Sequence, residues 1–181
     1  MKFFDAPVLP GIYFGIVICC GVYLWATRNP FELFVVLACI LLAWISAFRT
    51  TELIHQTIMN ALTEAADKPG FSPPLPHYAL ALCGIAGGLV GSLITAFGVS
   101  IACKKFRTFE NWARTITVGT VAGVLLELLG EPASLAKTAL PIHIGSLLPL
   151  FLVWQMAVAA SIGYGIVPQL EYPKPNVAVS L

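Results

Sequence analysis

Long apolar runs separated by short polar connections dominate the hydropathy pattern of this chain. A helix that crosses a bilayer needs about 20 mostly apolar residues. Five runs approach or reach that length, over residues 11–27, 31–48, 78–103, 115–129 and 142–167. The pattern therefore predicts an all-α fold, a polytopic transmembrane helical bundle with about five spanning helices. We expect residues 1–167 to form one transmembrane domain and residues 168–181 to form a flexible C-terminal tail.

The second run continues past its predicted membrane boundary as an amphipathic helix. Over residues 49–66, apolar side chains recur at spacings of three and four, and polar side chains occupy the opposite face. We expect this extension to lie on the membrane surface or to pack on a neighbouring helix. At the start of the run, Asn29 and Pro30 predict a tight turn, because proline suits the first position of a helix.

The fourth and fifth runs are bordered or interrupted by residues that break helices. The fourth run reaches only about 22 Å, which is short of a hydrocarbon core of about 30 Å. Gly130, Glu131 and Pro132 follow it and predict the end of the helix. We expect residues 133–139 to form a short interfacial helix and Pro149 to kink the fifth helix.

The composition excludes most water-soluble proteins. Hydrophobic residues make up 58% of the 181 residues, and charged residues make up only 10%. An ordinary soluble domain carries about 25% charged residues, so this chain has too few to cover a soluble surface. The formal net charge of +1 gives no bias toward nucleic acid, and none is expected as a partner. The expected partners are the lipid bilayer and either further copies of the chain or other membrane subunits.

Basic residues are distributed unevenly between the two faces of the membrane. With five spans, face A carries the N-terminus and face B carries the C-terminus. Four Lys or Arg residues then fall on face A and six on face B. The six are Arg28, Lys104, Lys105, Arg107, Arg114 and Lys174. The positive-inside rule predicts that face B is cytoplasmic, with the N-terminus outside, and we expect the membrane to be a bacterial inner membrane.

Small residues form two adjacent rows along the third run and one row along the fourth. A spacing of four residues between small side chains lets another helix backbone approach closely. The expected packing glycines are Gly84, Gly87, Gly88 and Gly91 in the third run and Gly119 and Gly123 in the fourth. The two rows of the third run predict one broad, flat face. Packing inside one subunit, a dimer seam and a sliding interface in a transporter all fit this pattern.

Ionisable residues near face A form a candidate substrate- or proton-binding site. Glu127 follows Gly123 by four residues, so the predicted helix turns its carboxylate toward the bundle interior. A carboxylate that merely reaches the membrane interface is the alternative. The other candidates lie at the face-A ends of the predicted helices and are Glu52, His55, His77, Glu131 and His143. Their spacing matches no recognised metal motif, so neither a metal nor another cofactor is expected.

One amide side chain also falls inside a predicted span. Gln155 lies near the middle of the fifth run, where an amide needs a hydrogen-bond partner. We expect a hydrogen bond to a serine or threonine of the third or fourth helix. A place in the wall of a substrate cavity is the alternative.

These features leave three functions open. Glycine-rich packing, a kinked fifth helix and Glu127 favour a small transport protein or the membrane-embedded subunit of a transporter. An accessory or assembly subunit of a larger membrane complex would use the same glycine faces to dock against partner helices. A membrane enzyme that uses the His and Glu residues of face A is less favoured, because the chain holds no recognised catalytic motif.

Overall fold

The computed structural model describes residues 8–65, 75–135 and 148–167. In this part of the chain every regular element is helical, as the hydropathy pattern predicts. The helices are α1 (Val8–Trp25), α2 (Pro30–Ala65), α3 (His77–Ala102), α4 (Phe109–Leu135) and α5 (Leu148–Ile166). A short 3-10 helix, Lys104–Arg107, connects α3 to α4, and we call it the basic turn. The predicted tail, residues 168–181, lies outside the described residues.

Three of the described helices contain segments long and apolar enough to cross a membrane. These segments are Pro30–Glu64, His77–Ala102 and Phe109–Leu129, whereas the apolar parts of α1 and α5, Pro10–Trp25 and Val153–Ile166, are shorter. Large apolar side chains also cover the outside of the bundle. On α3 they form one exposed row, Tyr78, Leu82, Ile85, Leu89, Leu93 and Phe97. Such an exterior suits lipid rather than water and is that of a membrane protein.

The long α2 begins where the sequence predicts and runs without a break through its amphipathic extension. Asn29 caps the helix, since its Oδ1 accepts a hydrogen bond from the Phe31 N–H at 3.1 Å. Pro30 occupies the first helical position. The helix continues for 36 residues to Ala65, so the span and the extension form one rod of about 54 Å.

Two predictions about the end of the fourth helix are wrong. α4 ends at Leu135, so Gly130 and Pro132 do not end it, and residues 133–135 belong to α4 rather than to a separate interfacial helix. The rest of that predicted helix lies outside the described residues. Proline removes one helical hydrogen bond, but an apolar environment penalises every further unpaired amide, so the helix persists through it. Pro149 is the second residue of α5, and the preceding residues 136–147 lie outside the described residues, so the kink at Pro149 stays a prediction.

Each described helix packs against the next one along the chain, and α5 also lies against α1. One hydrophobic core joins α1, the first half of α2, the second half of α3 and α5. Its larger members are Phe14, Ile18, Val22, Val36, Ile40, Trp44, Val99, Phe106, Trp154, Val158, Ile162 and Ile166. The later part of α2, the start of α3 and the end of α4 contribute no fully buried members to this core, and their contacts use small residues instead.

The basic turn is anchored to this core by one aromatic side chain and capped by one arginine. Phe106 is 0% exposed. The Arg107 Nε donates a hydrogen bond to the Ser100 carbonyl oxygen at 2.8 Å. The last carbonyls of a helix lack helical donors, so this contact satisfies one of them and fixes the exit from α3.

Candidate functional site

The contact between α3 and α4 is built from glycines. A Cβ placed on Gly84 would lie 2.5 Å from the Gly123 carbonyl oxygen. A Cβ placed on Gly88 would likewise lie 2.5 Å from the Gly119 carbonyl oxygen. A real carbon atom does not approach oxygen so closely, so the two backbones meet at a separation that only glycine permits. Contacts of this kind stabilise membrane helices through van der Waals packing and weak Cα–H···O bonds.

The second glycine row of α3 faces a different helix. Gly87 lies against Thr51 and Ala47 of α2. A Cβ placed on Gly91 would lie 3.1 Å from the Ala47 Cβ. The two rows therefore do not form one flat face for one neighbour, and that detail of the sequence analysis is wrong. They form two faces that hold α3 between α2 and α4.

Trp154 connects α5 to three other helices. Its indole N–H donates a hydrogen bond to the Gly119 carbonyl oxygen of α4 at 3.0 Å. Its ring centroid lies 5.9 Å from that of Phe14 in α1 and 6.2 Å from that of Trp44 in α2. The sequence does not predict this role of Trp154. No periodic pattern indicates a contact between an indole and a backbone carbonyl 35 residues away, although a buried indole always needs an acceptor.

Two further polar side chains of α5 find partners inside the bundle. The hydroxyl oxygens of Thr115 and Ser161 are hydrogen-bonded at 2.9 Å, and both side chains are buried. The Gln155 Nε2 donates to the Pro10 carbonyl oxygen of α1 at 2.9 Å. The expected bond from Gln155 to a serine or threonine of α3 or α4 is therefore wrong. α5 lies beside α1, and the first turn of α1 supplies a backbone acceptor instead.

Glu127 lies near the face-A end of the span in α4. It is about 27 Å along the helix from Phe109 and one turn beyond Gly123. Its side chain is half-buried. The carboxylate is close enough to Cys83 of α3 for an electrostatic interaction, and Cys83 is 0% exposed. The carboxylate therefore approaches protein at the end of the glycine contact between α3 and α4.

Glu52 is hydrogen-bonded to neighbours on the extension of α2 other than His55. The Glu52 carboxylate accepts hydrogen bonds from the Arg49 Nη1 at 3.0 Å and from the Gln56 Nε2 at 3.4 Å. His55 is exposed on the extension of α2. These side chains have the arrangement of an ordinary solvated helix face.

The remaining candidates of face A are not brought together in the described part of the chain. His77 is exposed at the start of α3. Among the described residues, no ion pair joins His77 to Glu127, and no three His, Cys, Asp or Glu side chains are grouped as metal ligands. His143 and the side chain of Glu131 lie outside the described residues. Of the His and Glu candidates whose side chains are described, Glu127 is therefore the one whose carboxylate approaches another helix.

Comparison with known proteins adds no family to this description. No protein family, curated protein or solved structure matches the chain. Its function is therefore inferred from its own residues.

Proposed function

We propose that this chain is a small transport protein or the membrane-embedded subunit of a transporter, with Glu127 as its proton- or substrate-binding group. The chain crosses a bacterial inner membrane five times, with its N-terminus outside and its C-terminus in the cytoplasm. The length of α1 supports this count, since its 18 residues span about 27 Å of a hydrocarbon core of about 30 Å. The basic residues of face B support the orientation.

The main support for this proposal is the half-buried carboxylate of Glu127 within a spanning segment. A carboxylate at such a depth is costly, and membrane proteins keep one there mainly where it binds an ion, a proton or a substrate. The described residues supply Glu127 with no ion-pair partner. Its neighbours Cys83 and Gly123 belong to the contact between α3 and α4, where the two backbones lie close together.

The sequence suggested a short fourth helix and a kinked fifth helix as the frame of a binding site. α4 is instead 27 residues long and no longer supports transport, and the kink at Pro149 stays a prediction. The proposal therefore depends on Glu127 and its surroundings.

Replacement of Glu127 by glutamine tests the proposal. The amide keeps the size of the side chain but cannot release a proton or carry a charge. The purified chain is placed in vesicles that contain a pH-sensitive dye, and a membrane potential is imposed. We expect protons to enter these vesicles. Glu127→Gln should reduce this entry to the level of protein-free vesicles while the thermal stability of the chain is preserved.

Glu64→Gln is the matched control, because Glu64 is exposed on the extension of α2. It should leave proton entry unchanged. Equal proton entry in wild type, Glu127→Gln and Glu64→Gln would remove Glu127 from the proposed site and leave it a structural residue.

The extension of α2 favours a second function, that of an accessory subunit in a larger membrane complex. The extension continues about 24 Å past Arg49, and within it Leu53 is 63% exposed. A helix that continues this far past its span can contact a partner domain outside the membrane. Purification in a mild detergent followed by mass measurement separates the two functions. Stable co-purification with larger subunits supports the accessory function, and a particle that contains only this chain supports transport.

A further inference from the structure

The basic turn is held rigidly at the end of the bundle on face B. Phe106 is 0% exposed and ties the turn to the core. The Arg107 guanidinium donates to the carbonyl oxygens of Ser100 at 2.8 Å and Ile101 at 3.3 Å. From the other side, the Asn111 Nδ2 donates to the Lys105 carbonyl oxygen at 3.2 Å. The backbone of the turn is therefore fixed before any partner arrives.

The positive charge of this turn is not neutralised by the described residues around it. Lys104 and Lys105 are both exposed, and no described acidic side chain forms an ion pair with either. The nearest acid along the chain, Glu110, is already engaged by the Arg114 Nη2 at 2.9 Å. Arg107 adds a third positive charge. Lys104 and Lys105 therefore face outward from a rigid backbone, and the Arg107 guanidinium, held against the end of α3, lies within the same four residues.

Aromatic side chains beside the turn indicate how deep it lies relative to the bilayer. Phe109 is 89% exposed at the first position of α4, whereas Phe106 points into the core. The Arg114 guanidinium lies 4.2 Å from the ring centroid of Tyr164, which is itself 59% exposed. Exposed aromatic and basic side chains at the ends of spanning helices are typical of the headgroup region. An exposed phenylalanine beside three cations suits a surface that is both anionic and apolar.

We propose that the basic turn binds the phosphate of an anionic phospholipid in the leaflet of face B. Lys104 and Lys105 contact the phosphate, and Phe109 lies among the glycerol and upper acyl groups. A lipid fits better than a soluble acidic protein, because the phosphate and the apolar chains of one molecule match the two parts of this surface. This inference is independent of the proposed transport function, since it involves neither Glu127 nor α2.

The test compares two lipids on the same protein. The chain is placed in nanodiscs of equal parts dioleoylphosphatidylglycerol and dioleoylphosphatidylcholine, released into a neutral detergent, and its retained lipids are measured by native mass spectrometry. Wild type should retain phosphatidylglycerol in clear excess. Each lysine near an anionic surface contributes roughly a fivefold factor, so joint replacement Lys104→Gln and Lys105→Gln should reduce that excess by up to about 30-fold.

Arg49→Gln is the control, because Arg49 is an exposed cation at the opposite end of the bundle. It should leave the phosphatidylglycerol excess unchanged, and inorganic phosphate added to the detergent should not displace the lipid. Equal retention of both lipids by wild type would overturn the proposal. An undiminished excess in the double lysine variant, or complete displacement by inorganic phosphate alone, would overturn it as well.

Discussion

Gly88→Leu is expected to destabilise the bundle by roughly 3 kcal/mol, at the upper end of the usual cost of overpacking. The first atom of any side chain at this position would meet the Gly119 carbonyl oxygen at 2.5 Å and the Thr120 Cα at 2.9 Å. Both are backbone atoms of α4, so no rotamer change relieves the clash, and α3 and α4 must separate. A lower thermal unfolding midpoint of the purified chain would report this separation.

Alanine variants at two glycines should shift the unfolding midpoint in opposite directions. Alanine favours a helix over glycine by about 1 kcal/mol, so Gly→Ala stabilises a helix where space allows. Beyond the backbone of its own helix turn and its two chain neighbours, no described atom lies within 4 Å of a Cβ on Gly163 of α5, so Gly163→Ala should raise the unfolding midpoint. Gly88→Ala should lower it, because the clash exceeds the gain in helix propensity. If both variants shift the midpoint in the same direction, the close contact between α3 and α4 is wrong.

Phe106→Ala is expected to cost about 3–5 kcal/mol, the usual loss when a large aromatic side chain leaves a cavity in a core. Phe106 is 0% exposed and is the sole member of the basic turn in the buried core cluster. Its removal should also loosen the turn, so that a protease cleaves after Lys104 or Lys105 faster than in wild type. Chemical or thermal unfolding in detergent measures the first effect, and limited trypsin digestion measures the second.

Phe109→Ala is the matched control for this experiment. Phe109 is three residues further along and 89% exposed, so its replacement should change stability by no more than about 0.5 kcal/mol. Equal losses in the two variants would mean that the basic turn is not anchored through Phe106.

The sequence predicts the helices of this fold better than their contacts. Hydropathy locates α2 and α3 to within a few residues, because a long apolar run in a bilayer has little alternative to a helix. The rule that proline suits the first position of a helix holds at Pro30. The rule that proline ends a helix fails at Pro132. A local rule gives the cost of one lost hydrogen bond, but the surrounding apolar environment decides whether the helix continues.

The sequence does not predict which distant residues contact one another, because those contacts depend on how the helices pack. The spacing of Gly84 and Gly88 predicts a close neighbour, but not that the neighbour is α4 while Gly87 faces α2. Gln155 plainly needed an acceptor, yet its acceptor is a backbone carbonyl 145 residues away. The proximity of Glu127 to Cys83 likewise follows from the register of two helices. Residue type predicts that a side chain needs a partner, but the packing of the helices determines which residue that partner is.

The proposed topology requires that α3 crosses the membrane and that the basic turn lies in the cytoplasm. The direct test introduces single cysteines at Asn60, exposed on the extension of α2, and at Lys105, in a background with the five native cysteines replaced. Intact cells are then treated with a membrane-impermeant thiol reagent. We expect labelling at position 60 in intact cells and at position 105 only after the membrane is opened. Labelling of both positions from the same side would contradict the proposed topology.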